Sequence, residues 1–271
     1  MVRIEMLAVG KELLIGRTLN TNANWAGKRL ARMGTMLKEV TVVDDDLEEI
    51  SEAFRGITER SPDFLVVVGG LGPTPDDMTL KGVARGLGVP VRRSERAIEM
   101  IKEHYSKRGY QTMELTPARV KMAMLPAGAE PVLNSAGTAP GVRLAAGRTT
   151  VYCLPGVPVE MRSIFRRSVE PEVRKVLGPM HRKYVTLKLE GVFESVLAPL
   201  IARALRRHPG AYIKSHPRGI KEGVSQIELD IAVVGKEQRR TDDEGERIAE
   251  EMTNEVQLAG GKVRPLRLMR G

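Results

Sequence analysis

Along the chain, apolar positions fall into short runs separated by helical stripes. Val2–Val9 is a β-rich run that stops at Gly10. Ala26, Leu30 and Met33 then recur at the spacing of one helical face, and Gly34 is placed to end that helix. Met36–Val43 reads as a strand, and Ile50, Ala53, Phe54 and Ile57 form a second helical stripe. Phe64–Val68 is an unbroken apolar run, as expected of a strand covered on both faces. Helices are predicted over Leu80–Leu87, Glu95–Lys107 and Val159–Val176, with another buried strand over Thr149–Gly156. Strands alternating with helices predict right-handed crossovers and a doubly wound, mostly parallel α/β sheet.

The pattern changes near Gly178-Pro179. Beyond it come a strand over Tyr184–Leu189, a helix over Ser195–Arg207, a strand over Ala211–Ser215 and an alternating strand over Gln226–Val234. A last helix carries Ile248, Met252 and Val256 on one side. This βαββα order predicts a smaller α+β domain over 179–271, after a larger α/β domain over 1–178.

Composition narrows the classes of partner. The chain has 271 residues and a net charge of +9, from 43 Lys and Arg against 34 Asp and Glu. Such an excess suits nucleic acid, a small anionic ligand or plain solubility. One Trp and four Phe supply little surface for stacking bases, so nucleic acid is not the expected partner. A single cysteine, Cys153, allows no disulfide within the chain and fits a reducing cytoplasm. Cys153 follows an apolar run with no catalytic pattern around it, and the four histidines show no zinc-like spacing. Glu5 interrupts any apolar signal region, and no stretch approaches the roughly 20 apolar residues of a membrane span. A cytoplasmic protein is expected.

The candidate chemistry starts at "VVVGGLGPTPDDMT", Val66–Thr79. Ligands of open α/β sheets sit beyond the carboxyl ends of the strands, and Val68 is such an end. Gly69, Gly70 and Gly72 lack a β-carbon, so backbone amides can approach an anion closely. A helix predicted to start near Asp77–Thr79 adds its unpaired first amides. Together these read as a phosphate cradle. Asp76 and Asp77 beside it read either as helix caps or as ligands of a cation lying between carboxylate and phosphate. Asp44, Asp45 and Asp46 end the Met36–Val43 strand and pose the same choice. "GKELLIGRT" has the wrong spacing and an Arg where a P-loop needs Lys, so it is no Walker motif, although Glu12 could face the crevice. Asn22 and Asn24 could cap a helix or bond a ligand's sugar or base. "NSAGTAPGV", with Ser135, Gly137 and Thr138, and "LPGVPVEM", with Gly156, are two further Gly/Pro loops that could share the site.

These motifs carry a resemblance. "VVGGLGPTPDDMT" is similar to the GG-x-G-P-x-x-x-D-x-T signature of the molybdopterin-binding domain superfamily, which includes MoaB and Mog-like proteins. With "GKELLIGRTLNTNANW", "VVDDDLEEI", "NSAGTAPGV" and "LPGVPVEM" following the same order, the chain more closely resembles the CinA (competence-damage-inducible) family and the related domain of eukaryotic FAD synthases. The likeness runs from Met1 to about Leu177, and Tyr184–Val256 is similar to the small KH-type domain of CinA proteins. The resemblance implies that Gly69, Gly70, Gly72 and Thr74 bind phosphate. It also implies that Asp77 is the signature acid and Asp45 its partner, with Asp76 a third candidate metal ligand. It implies a divalent metal (Mg, Mn or Co) and hydrolysis of a nucleotide diphosphate, ADP-ribose before FAD. It also implies a homo-oligomer. Lys11 stands where relatives usually have Asp, Asn or Ser. Longer members carry an amidase for which no residues remain before Gly271, so deamidation is not expected.

Two other readings stay open. The same cradle could hold a pterin phosphate, making the chain a molybdopterin carrier or adenylyl transferase. Alternatively the small domain could bind RNA through its basic residues, although Gly219 and Gly223 in "IKSHPRGIKEG" are one residue too far apart for the GXXG clamp.

Overall fold

The computed structural model describes residues 2–109 and 114–266. The chain divides into two compact units: residues through Ala31 with Thr35–Gly178 form one, and Arg32–Gly34 with the residues from Pro179 onward form the other.

The first unit runs β1 (Ile4–Val9), α1 (Lys11–Leu14), α2 (Thr21–Arg32), β2 (Leu37–Val43), α3 (Leu47–Glu59), β3 (Phe64–Val68), α4 (Thr79–Leu87), β4 (Val91–Arg93), α5 (Glu95–Ser106), α6 (Pro117–Lys121) and β5 (Met124–Pro126). It continues with β6 (Glu130–Val132), β7 (Gly141–Ala146), β8 (Thr149–Leu154), α7 (Pro158–Ile164) and α8 (Glu170–Leu177). Its main sheet has the order β2-β1-β3-β8-β7-β6. The first four strands are parallel, and β7 and β6 add an antiparallel flank. β1 and β3 are buried at every position, as central strands covered on both faces require; β3 is apolar throughout, and the one charged residue of β1, Glu5, is paired with Arg3 (2.7 Å) and Arg60 (2.6 Å). The apolar stripe of α3 explains its placement: Ile50, Phe54 and Ile57 pack with Leu7, Leu65 and Val67 from the sheet and Val83 from α4.

α7 and α8 are not one regular helix. Phe165–Val169 is a π-helical turn that buries Phe165 and Val169. Pro171, in the first turn of α8, has no amide to donate, and the wider turn before it accommodates that loss. Glu170 sits at this junction with a nearly buried carboxylate, taking two hydrogen bonds from Arg29 on α2 (2.7 and 2.9 Å) and two from Arg174 (2.8 and 3.1 Å). Burial pushes this carboxyl up, but the two guanidinium groups outweigh it and hold it below the usual range. Its contribution is therefore complete above the unfolded Glu value of about 4.3 and fades as pH falls through the lower folded value. Glu170→Gln is expected to lose about 2 kcal/mol near neutral pH. That gap should close in acid only once pH has fallen through the lowered folded value, where the wild-type carboxyl is protonated too. Urea unfolding at both pH values measures it; a gap that persists in acid contradicts the linkage.

The second unit runs β9 (His181–Glu190), α9 (Glu194–Arg207), β10 (Tyr212–Lys221), β11 (Val224–Gly235), α10 (Gln238–Leu258) and β12 (Lys262–Leu266). It is an antiparallel sheet of order β10-β11-β9-β12. Leu187, Leu189, Leu229 and Ile231 pack on Leu197 from α9 and on Ile248, Met252 and Val256 from α10. The alternation along β11 gives this one-sided core. Two readings change. β12 adds a strand to the expected βαββα order. β10 continues past Ser215 through Pro217 and Gly219 to Lys221, so "IKSHPRG" is edge strand with an irregularity at Pro217/Gly219 and not a free loop. An edge strand tolerates a proline because one side of it needs no donors. Gly223 sits in the hairpin turn at φ 77°, so the two glycines form no GXXG clamp. Among the described residues, no helix is long and apolar enough to cross a membrane.

Candidate functional site

The parallel strands deliver four loops to one edge of the sheet. β2 lies on one side of β1, and β3 and β8 lie on the other. The carboxyl ends of β1 and β3 therefore flank the point where the winding reverses, the usual ligand crevice of an open α/β sheet. A cavity of about 280 Å³ lies there. Its walls are Gly10 and Glu12 after β1, Asp45 after β2, Gly69, Gly70, Asp76 and Asp77 after β3, Gly156 after β8, and Asn22 on α2.

The glycines are required by contact. Gly69 has φ 111°, and a β-carbon on it would stand 2.1 Å from the Val9 carbonyl oxygen of the neighbouring strand. Gly70 has φ 61°, and its β-carbon would meet the Thr79 hydroxyl at 2.3 Å. That buried hydroxyl donates to the Gly69 carbonyl (2.8 Å), and the Thr79 amide donates to the Gly70 carbonyl (3.3 Å). The signature threonine thus ties both glycines to the start of α4. Gly72 makes room for Asp77, whose Oδ2 would lie 2.6 Å from a β-carbon there.

The amides divide differently from the simple cradle expected. The Gly69 amide donates to the Leu154 carbonyl (3.0 Å), so this glycine supplies space and not a donor. Among the described residues the amides of Gly70, Leu71 and Gly72 donate no hydrogen bond. Gly70 lines the cleft, so its amide is the donor an anion there would meet first. Thr74 gives Asp77 Oδ2 both its amide (2.8 Å) and its hydroxyl (2.6 Å). It orients the acid, and neither of these donors remains for a phosphate.

The carboxylates also sort themselves. α4 starts at Thr79 with Met78 as its N-cap and no side-chain cap, so neither Asp76 nor Asp77 caps it. Asp46 does cap α3, accepting from the amides of Glu48 (2.8 Å) and Glu49 (3.1 Å). Asp44 pairs with the Lys11 ammonium (3.1 Å), which turns that charge away from the cleft. Asp45 accepts from the Lys11 amide (2.9 Å) and lines the cavity. Burial raises the Asp45 carboxyl above its ordinary value, and the nearby carboxylates of Glu12, Asp44 and Asp76 raise it further against the Lys11 bond. Asp76 is held below the usual range by the polar Thr74 side chain beside it and by the Asp76 backbone amide. Among the described residues, no three His, Cys, Asp or Glu side chains form a metal cage. Two or three acids beside unpaired amides fit instead the manner of Mg²⁺, which takes one or two carboxylates and completes its shell with ligand oxygens and water.

The other candidates are placed as follows. Asn22 donates to the Gly156 carbonyl (2.7 Å), while its buried Oδ1 has no partner among the described residues. Gly156 packs against Gly69, 3.4 Å from its Cα to a β-carbon built there, so the β3 and β8 loops touch. Asn24 is exposed on α2 and does not line the cleft. Ser135, Gly137 and Thr138 do not line the cleft and belong to a loop tied to itself and to α7. Asn134 accepts from the Gly137 amide (2.9 Å) and donates to the Glu160 carboxylate (2.6 Å), and Ser135 pairs with Ser163 (2.9 Å). Cys153 is buried, and burial pushes its thiol up to about 12, which suits a small core residue. Lys121 escapes the sequence reading. From α6 its ammonium donates to the Thr74 carbonyl beside Asp76 and Asp77, and burial pushes its pKa down.

Comparison with known proteins gives the family. Residues 5–175 match the family described as a probable molybdopterin binding domain. A protein of Pyrobaculum arsenaticum is 42% identical over 234 residues, 86% of this chain and 87% of that one. A protein of Aeropyrum pernix is 40% identical over 261 residues, 96% of each chain. Among solved structures, the crystal structure of the protein CinA, of unknown function, from Thermoplasma acidophilum is 43% identical with a TM-score of 0.57, covering 63% of this chain and 98% of that one.

Proposed function

Because this chain belongs to the CinA-like molybdopterin-binding family, we propose that its cleft binds a phosphorylated heterocyclic ligand together with a divalent cation and acts at a phosphoanhydride bond. The observation that carries the reading is one small cavity whose wall joins Gly70, with its unpartnered amide, to the carboxylates of Glu12, Asp45, Asp76 and Asp77, while the unpartnered amides of Leu71 and Gly72 follow in the same loop. Alone, the acids would repel a phosphate. With Asp45 and Asp77 holding Mg²⁺, Mn²⁺ or Co²⁺, they favour it. A bound cation of this kind neutralises the leaving phosphate and acidifies a water. The protein's own part is to present the amides to one phosphate, to hold Asp77 through Thr74, and to offer the open Asn22 oxygen to a ligand hydroxyl or N–H.

The family description favours a pterin phosphate as the bound group, and adenylyl transfer is the alternative chemistry such a ligand would suit. The carboxylates favour hydrolysis of a nucleotide diphosphate such as ADP-ribose or FAD. Calorimetric titration with inorganic pyrophosphate, with and without Mg²⁺, tests what the two share. Cation-dependent binding that Asp45→Asn weakens is expected; binding equally tight without cation and in the variant overturns the reading. Release of AMP from ADP-ribose or FAD then identifies the hydrolase, whereas AMP transfer from ATP to molybdopterin identifies the transferase.

A further inference from the structure

A second cavity, of about 450 Å³, opens on the other face of the glycine loop. It shares Gly70 and Asp77 with the cleft and adds Gly72. Its remaining walls are mainly apolar: Leu71 from the loop, Leu80 from α4, Val91 from β4, Val120 from α6 and Met124 from β5. Two ammonium groups, Lys81 and Lys121, complete it on the side of Asp77.

Resting on the phosphate reading above, we propose that this cavity receives the fused-ring heteroaromatic half of the ligand whose phosphate meets the amides of Gly70 to Gly72. Size is the first argument. The cleft, at about 280 Å³, falls just short of the roughly 300–1,000 Å³ of ligand-sized pockets, whereas the second cavity lies inside that range. A phosphate and a cation fill the cleft, and the rest of the molecule needs other space. Continuity is the second. Gly70 belongs to both walls, so a group attached to a phosphate on this loop reaches the apolar chamber through a short linker. Complementarity is the third. A flat ring suits aliphatic walls on several sides, and the two lysines match the negative charge that the ring carries on its phosphate. Lys121 also fixes the floor of the site, because its ammonium donates to the Thr74 carbonyl of the same loop. A purine nucleotide and a pterin phosphate share this chemistry.

The test is calorimetry on the full chain with three probes: inorganic pyrophosphate, AMP and neopterin monophosphate, each with Mg²⁺. Val120→Phe fills the chamber, and Met124→Ala widens it. In both, the affinity of the preferred ring-bearing probe is expected to fall about tenfold or more while that of pyrophosphate stays within about twofold. Circular dichroism melts establish that each variant is folded, and Met124→Ala stands in if Val120→Phe is not. AMP or neopterin monophosphate binding that neither variant changes overturns the chamber but leaves the phosphate reading standing. If pyrophosphate fails to bind wild type while the ring-bearing probe binds and responds to the variants, the phosphate reading falls and the chamber survives. Failure of all three probes on wild type overturns both. Whichever of AMP and neopterin monophosphate binds more tightly identifies the ring.

Discussion

Asp77→Asn is expected to lower turnover of the phosphoanhydride substrate by about 10²–10³-fold while leaving the fold intact. The expectation rests on how Asp77 is held. Oδ2 is occupied by the amide and hydroxyl of Thr74, and Oδ1 accepts no hydrogen bond among the described residues. Asparagine keeps one carbonyl oxygen, enough to accept both Thr74 donors, so the loop retains its shape. What disappears is the negative charge beside the bare amides of Gly70 to Gly72. The variant should therefore melt near the wild-type temperature and lose both turnover and the Mg²⁺ dependence of pyrophosphate binding. Asp76→Asn is the comparison. Asp76 is exposed beside Asp77, in the same cavity wall, and its loss should matter far less. Thr74→Ala separates positioning from charge: it keeps the acid but frees its carboxylate, so turnover should fall less than in Asp77→Asn and Mg²⁺ dependence should remain. Wild-type rates from folded Asp77→Asn protein would remove Asp77 from the chemistry.

How much of this was legible follows from which forces are local. β3 announces itself because a strand buried on both faces is apolar throughout, β1 because only Glu5 breaks its apolar run, and α3 because half of it faces a core. The loops at the carboxyl ends of these strands were legible for the same reason, and with them the cluster of Gly69, Gly70, Asp45, Asp76 and Asp77. The roles inside the cluster were not. Three consecutive aspartates cannot reveal which one caps a helix until the first helical residue is fixed, and Leu47 settles it for Asp46. Gly69 and Gly70 look alike in sequence, yet one amide closes the sheet with Leu154 and the other is open. β7 escapes notice because "GVRLAA" is rich in small residues and carries Arg143 into a pair with Glu172 (2.9 Å). Lys121 lies on a five-residue helix far along the chain, and only the tertiary fold brings it to Thr74.

Gly69→Ala is the change expected to cost most in stability, about 3 kcal/mol or more, and to abolish pyrophosphate binding with it. Two effects coincide at this residue. A φ of 111° is one that residues with a β-carbon seldom adopt. The new methyl would also point at the Val9 carbonyl oxygen from 2.1 Å, and that oxygen belongs to a backbone fixed by two neighbouring strands. Neither strand can move away without breaking its pairing. Two reference variants separate the effects. Gly88→Ala has φ 71° at the end of α4 and open space around the new carbon, so it carries the dihedral cost alone, about 1 kcal/mol. Gly156→Ala meets only Gly69 Cα at 3.4 Å, an ordinary contact, and should be close to neutral. Urea unfolding of the three proteins should rank Gly69→Ala far below Gly88→Ala, with Gly156→Ala nearest wild type. If Gly69→Ala were no worse than Gly88→Ala, the β3 loop would not be pressed against β1, and the Gly70 amide would have lost the support that holds it at the cleft.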